Sequence, residues 1–217
     1  MGEVELDTDR KQIIIRAHII TYGDAANEIN TESIRSEIES MWNEPLATVI
    51  IKNEAFHVLF RITAQYLPAI TPEEIYGDVN PRNNFFRIEE YADGNISFVD
   101  GIGCNSGYFK LENLYKGSTT AAHEYGHTIG LEHPQELDIR GKGQPGIMYP
   151  RGTLVDPEFQ YDASIPAGQT GGTLHPMFRK VLQQDIYLLK LQKLPFNENK
   201  LAIIGDFSNI YHPKQFP

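Results

Sequence analysis

Three histidines constrain this chain more than any other feature. They lie in the run His123-Glu124-Tyr125-Gly126-His127-Thr128-Ile129-Gly130-Leu131-Glu132-His133. On an α-helix each residue turns by about 100°, so His123 and His127 stand about 40° apart, one turn separated, and aim both imidazoles at a common point. Glu124 falls beside that pair, where its carboxylate can reach a water without taking a ligand position. Ala122, Tyr125 and Ile129 occupy the other face, which suits a core and would hold the histidines rigid. His133 can join them only if the helix stops before it. Gly130 supplies the stop, because glycine enters the left-handed conformation without a Cβ clash and turns the chain back. Three protein ligands with one open position is the arrangement of catalytic zinc. With only 7 histidines in 217 residues, five fixed identities at this spacing arise by chance with a probability on the order of 10⁻⁵ to 10⁻⁴.

The rest of the chain offers a scaffold for such a helix. Residues 12–22 alternate, with Ile13, Ile15, Ala17 and Ile19 on one face and Arg16 and His18 on the other, the pattern of a strand. Asn30 or Thr31 is expected to cap a helix whose stripe is Ile34, Ile38, Met41 and Trp42, with Glu37, Glu39 and Ser40 on its polar side. Residues 47–51 and 56–63 read as a strand pair, and 85–88, 96–99 and 108–111 as further strands between Asn- and Gly-rich loops. A helix over 118–131 carries the histidines. Residues 131–173 read as mostly irregular, and 176–191 as a second long helix with Pro176 in its first turn. Residues 200–204 could form a short strand.

With these residues in place, the sequence resembles the metzincin clan of zinc endopeptidases, and within it is most similar to the matrixins. The resemblance rests on HExxHxxGxxH and on Gly146-Ile147-Met148-Tyr149-Pro150, which is similar to the methionine-containing turn (Met-turn) that follows the zinc motif in that clan. It implies an α+β fold: a metzincin-like catalytic domain with a twisted mixed β-sheet, a backing helix, a zinc-binding active-site helix, and an irregular lower subdomain with the Met-turn and a C-terminal helix. Residues 1–217 would then form one such domain, with an upper subdomain over about 10–130 and a lower one over about 131–217. Met148 would lie beneath the metal as an apolar floor. Tyr149, Pro150, Arg151 and Gly152 are the substrate-pocket candidates, Tyr149 being read chiefly as a packing residue. Asp185, in Gln184-Asp185-Ile186, matches the second of two consecutive aspartates in matrixins. It falls on the apolar stripe of its helix, so a buried carboxylate bonded to backbone N–H groups near the Met-turn is expected. Gln184 departs from the pattern, Pro134 stands where matrixins commonly have serine, and no histidine between His57 and His123 could serve an upstream structural zinc.

The activity implied is hydrolysis of peptide bonds in proteins by a zinc endopeptidase, with one Zn²⁺ held by His123, His127 and His133 and a metal-bound water activated by Glu124. Calcium finds no support: Asp7, Asp9, Asp78, Asp93 and Asp100 lack EF-hand spacing and read as solvated surface. The formal charge of -10 repels phosphate backbones, so nucleic acid is not an expected partner. Apolar runs are too short to span a bilayer. A monomer acting on protein or peptide substrates is expected. Cys104 has no second cysteine to pair with and reads as a packed thiol. The resemblance implies a secreted protein with its signal removed, an intracellular location being the alternative. Two other functions stay open: a zinc-stabilised binding or adhesion module without turnover, and a toxin or effector protease with one intracellular target.

Overall fold

The computed structural model describes residues 1–216. Its elements in chain order are β1 (Gly2–Asp7), β2 (Gln12–Tyr22), α1 (Glu28–Asn43), β3 (Thr48–Ile51), β4 (Glu54–Tyr66), α2 (Pro72–Tyr76), β5 (Asn83–Glu89), β6 (Phe98–Val99), β7 (Ser106–Lys110), α3 (Thr120–Thr128), α4 (Gln183–Leu188) and β8 (Leu201–Ile204). The architecture is α+β, built on one mixed sheet. β2 lies at its centre, parallel to β4 on one side, and on the other to β5 through residues 18–22. The path through the sheet is β3-β4-β2-β5-β7-β6, with β3 and β6 antiparallel to their neighbours. Because β2 is flanked on both edges and covered on both faces, Ile14 and Ile20 are buried along with the alternating Ile13, Ile15, Ala17 and Ile19.

Several expectations are corrected here. β1 was not foreseen. It pairs antiparallel with the first half of β2 and, on its other edge, with β8, so the two ends of the chain share one sheet. The first helix starts at Glu28. Asn27 caps it by accepting from the N–H groups of Ile29 and Asn30, each at 3.0 Å, and Asn30 reciprocates to the Asn27 N–H. The β3–β4 turn consists of Lys52 and Asn53, both at positive φ, which matches the right-handed twist of the paired strands. The strand expected over 96–99 is only two residues long, and the helix expected over 118–131 spans Thr120–Thr128.

The largest departure lies at 176–191. In place of one long helix there is a 3₁₀ turn at Pro176–Phe178, an extended stretch, the short α4, and a second 3₁₀ turn at Leu191–Lys193 after Lys190 adopts φ 51°. The extended stretch bonds across the fold instead of along itself: the Lys180 N–H donates to the Pro145 carbonyl at 3.0 Å. A stripe of apolar residues at helical spacing satisfies both arrangements, and the tertiary partner decides between them.

α1 packs across β4 and against α3. Trp42 is the hinge of that contact. Its ring sits 5.2 Å from Phe60 and edge-on to Tyr125 at 6.0 Å, and its indole N–H donates to the Ala122 carbonyl at 3.1 Å. Glu37 and Glu39 were assigned to the solvent side of α1, yet both are half-buried and bonded to backbone. Glu39 accepts from the Ile62 N–H at 2.9 Å, and Glu37 reaches α3.

Candidate metal centre

α3 begins without a cap of its own. Thr119 precedes it at φ 58°, a costly conformation for a β-branched residue, and its side chain makes no capping bond. The strained backbone is held from outside. Thr119 Oγ1 donates to the Pro176 carbonyl at 2.9 Å and accepts from Arg179 Nε at 2.8 Å. The cap comes from α1: Glu37 accepts from the Ala122 N–H at 3.2 Å, with the Ala121 N–H also turned to it. A carboxylate there meets the positive end of the helix.

At its other end α3 closes in a Schellman motif. The Leu131 N–H donates to the Gly126 carbonyl at 2.9 Å and the Gly130 N–H to that of His127 at 3.0 Å, with Gly130 at φ 97°. This reversal returns His133 to the helix. Its Nε2 lies 3.0 Å from that of His123 and 3.2 Å from that of His127. Four-coordinate zinc with Zn–N bonds of about 2.0–2.1 Å places its ligand nitrogens about 3.4 Å apart, so the three atoms are close to the spacing the ion requires.

The proton positions fit as well. His123 Nδ1 is 2.7 Å from the Ile147 carbonyl and His127 Nδ1 is 2.7 Å from that of Leu131. A carbonyl only accepts, so both Nδ1 atoms carry the proton and both Nε2 atoms present lone pairs to the shared point. Lone pairs converging this closely suit a cation between them. Arg179 Nη1 is also 3.0 Å from His123 Nδ1, but an arginine only donates, so it acts there as a charge and not as a hydrogen-bond partner. Burial, and then Arg179, hold the His123 imidazole well below its ordinary pKa. Burial lowers His127 and His133 too, with Arg179 adding to both. All three stay neutral near pH 7, as ligands must be. Among the described residues, no other three His, Cys, Asp or Glu side chains converge on one point.

Glu124 is buried beside the triad. Burial pushes its carboxyl up to about 8, against the pull of Arg179 and the Val99 N–H, and a cation on the histidines would act in the lowering direction. The triad and Glu124 line a cleft of about 500 Å³ whose other walls include Phe98, Val99, Pro150, Arg151 and Arg179. Of the pocket candidates, Pro150 and Arg151 are brought to this cleft. Tyr149 and Gly152 do not line it: Tyr149 packs against Ile139, Val155 and Leu174, and Gly152 is exposed to solvent. Met148 is buried beneath α3, so close that a Cβ on Gly126 would fall 2.3 Å from its sulfur. Only glycine at 126 allows that approach.

Asp185 is buried at the first turn of α4. It accepts from the Leu182 N–H at 2.7 Å and from the Ile147 N–H, and it packs on Gly146, so it links α4 to the turn below the triad. Burial outweighs the two donors and raises its carboxyl to about 6 from an ordinary 3.8. The folded state therefore binds this proton more tightly than the unfolded state, and stability falls as pH rises from about 4 through 6. The loss amounts to as much as about 3 kcal/mol. Asp185→Asn keeps the acceptor oxygen and removes the ionisation. Urea midpoints of wild type and variant, measured from pH 4 to 7.5, should diverge in favour of the variant as pH rises; parallel curves would mean that the carboxylate is adequately solvated.

Arg179 and Glu37 escaped sequence analysis. Arg179 is buried, with Nη1 donating to the Tyr149 carbonyl at 3.2 Å and Nη2 to that of Ser118 at 3.2 Å. Burial pulls its pKa down to about 10, opposed by Glu124, so it stays charged at neutral pH. The available signal was an arginine set between the apolar residues Phe178 and Val181.

Among known proteins, no family model and no curated protein matches the chain. Among solved structures, the chain is similar to archaemetzincin from Methanopyrus kandleri, with a TM-score of 0.40 and 12% identity over 82% of this chain and 95% of that one. It is also similar to myroilysin, with a TM-score of 0.38 and 9% identity over 88% of this chain and 98% of that one.

Proposed function

We propose that this protein is a zinc-dependent endopeptidase of metzincin type, similar to the matrixins in its turn at Met148. The observation that carries the reading is the convergence of three imidazole Nε2 atoms, two of them committed as lone-pair donors by their Nδ1 partners, beside a buried carboxylate in an open cleft. His123, His127 and His133 would hold the ion. Zinc bound there supplies Lewis acidity toward a water and toward the carbonyl of the peptide bond.

The chain's own residues do the rest. Glu124 accepts a proton from the attacking water and hands it to the departing amine nitrogen, a role that needs a carboxylate close to the reacting atoms and free of the metal. The Ile147 and Leu131 carbonyls fix the tautomer and orientation of His123 and His127. Glu37 and Trp42 keep α3 in place from the α1 side.

Zinc-loaded protein, incubated with a proteome-derived peptide library, is expected to cut internal bonds and to carry one zinc per chain after dialysis. His127→Ala should lose both the zinc and the cleavage. No cutting by fully loaded wild type, or one retained zinc in His127→Ala, would overturn the proposal.

A further inference from the structure

The cleft holds two arginines that form no ion pair. Most other arginines find carboxylates, such as Arg16 with Glu5 at 2.8 Å, Arg87 with Glu89 at 2.5 Å and Arg140 with Asp138 at 2.6 Å, the exposed Arg61 being the exception. Among the described residues neither Arg151 nor Arg179 has a carboxylate oxygen within 4.0 Å. Arg179 satisfies its N–H groups with two carbonyls and a hydroxyl, which answers hydrogen bonding but not charge. Arg151 is exposed at the cleft, and its one contact is the neutral Asn113 amide at 3.3 Å. Both guanidiniums line one cleft, and Glu37 and Glu124 act on Arg179, and Glu112 on Arg151, only from beyond 4.0 Å. A chain with 29 acidic against 19 basic residues could pair either arginine with an aspartate or glutamate, yet among the described residues none comes within 4.0 Å of them.

We infer that Arg151, with Arg179 behind it, selects peptides carrying a carboxylate within one or two residues of the bond that is cut. The carboxylate is either an aspartate or glutamate side chain or the peptide's own C-terminus. The inference rests on the peptidase reading for the phrase "bond that is cut"; the carboxylate selection itself does not need turnover. The distance follows from geometry. Arg151 lines the same cleft as the triad, with Arg179 against the His123 ring, and an extended peptide advances only about 3.3–3.6 Å per residue. Arg151 suits the contact because its planar fork can meet both carboxylate oxygens. Phe98, Val99 and Pro150 supply apolar wall around it.

Peptides that differ only in Asp, Asn or Lys beside one bond, each made with an amidated or a free C-terminus, test this in two ways. Binding is read by fluorescence anisotropy on zinc-loaded Glu124→Ala, and cleavage on wild type. Acidic peptides should be favoured over neutral ones by about tenfold to a hundredfold, and less at high salt. Arg151→Gln should bring that ratio near one, and Arg151→Glu should turn it toward the Lys peptide. Preference among amidated peptides assigns the side chain, and preference only for free termini assigns the terminal carboxylate; both support the inference. No charge preference in wild type, or a ratio unchanged in both Arg151 variants, overturns it. Cleavage without charge preference would leave the peptidase reading standing alone, and charge-selective binding without any cleavage would leave the carboxylate selection standing without it.

Discussion

Glu124→Ala should retain its zinc and its fold while peptide cleavage falls by about 10² to 10⁴, equivalent to about 3 to 5.5 kcal/mol of barrier. The expected split follows from where the carboxylate is placed. In the proposed site the three imidazoles would hold the ion among themselves, so zinc content should not depend on Glu124. Its side chain makes no hydrogen bond to another side chain, and its one backbone contact is with Val99, so its loss leaves little unpaired. Rates should be compared at matched zinc content, because apo protein would imitate a catalytic defect. A variant that cuts as fast as wild type would remove Glu124 from proton transfer. A wild type with no turnover on any peptide would turn the site into a zinc-stabilised binding module.

Trp42→Ala should cost about 3 to 5 kcal/mol of stability, the range for truncating a large buried aromatic side chain. Trp42 is 1% exposed and fills the space between α1, β4 and α3, touching Phe60, Tyr125 and the Ala122 carbonyl. The neighbours cannot collapse into the gap without moving α3, since Tyr125 is itself fully buried and Met148 already presses on Gly126. Urea midpoints should be measured in chelator, because bound zinc would stabilise the folded state by mass action and mask part of the loss. The slope of the transition should stay unchanged. A loss under about 1 kcal/mol would mean that α3 does not depend on α1, and that the positioning assigned to Trp42 is wrong. A larger loss of zinc affinity than of stability would show the same dependence from the metal side.

Local spacing is what made the centre legible in the sequence. His123 and His127 are four residues apart on one helix, and Gly130 reverses the chain within the next turn, so a short segment contains the ligands and the means of bringing them together. Burial of Asp185 was legible for a similar reason: a carboxylate among Val181, Leu182 and Ile186 has to be buried with partners or break the pattern. The helix around it is only the short α4, not a continuous one over 176–191. Apolar periodicity over 176–191 cannot distinguish a continuous helix from a chain that runs extended past Pro145 and Gly146 before turning.

What the sequence by itself determined is the three histidines that converge, the carboxylate beside them, the reversal at Gly130 and the strand pattern of the central sheet, all of which depend on residues close together in the chain. Tertiary structure alone decided how that site is held and charged. Glu37 caps α3 from 85 residues away, and Arg179 reaches His123 across 56. β1 and β8, at opposite ends of the chain, pair in one sheet. Arg151 and Arg179 come together in the cleft with no carboxylate in ion-pair contact, Glu124 standing further off. None of these leaves a periodic trace, because periodicity reports which face of an element is buried and not which distant residue will meet it there. The cap, the tautomers and the charge of the cleft are contacts between elements, and they exist only once the elements have packed.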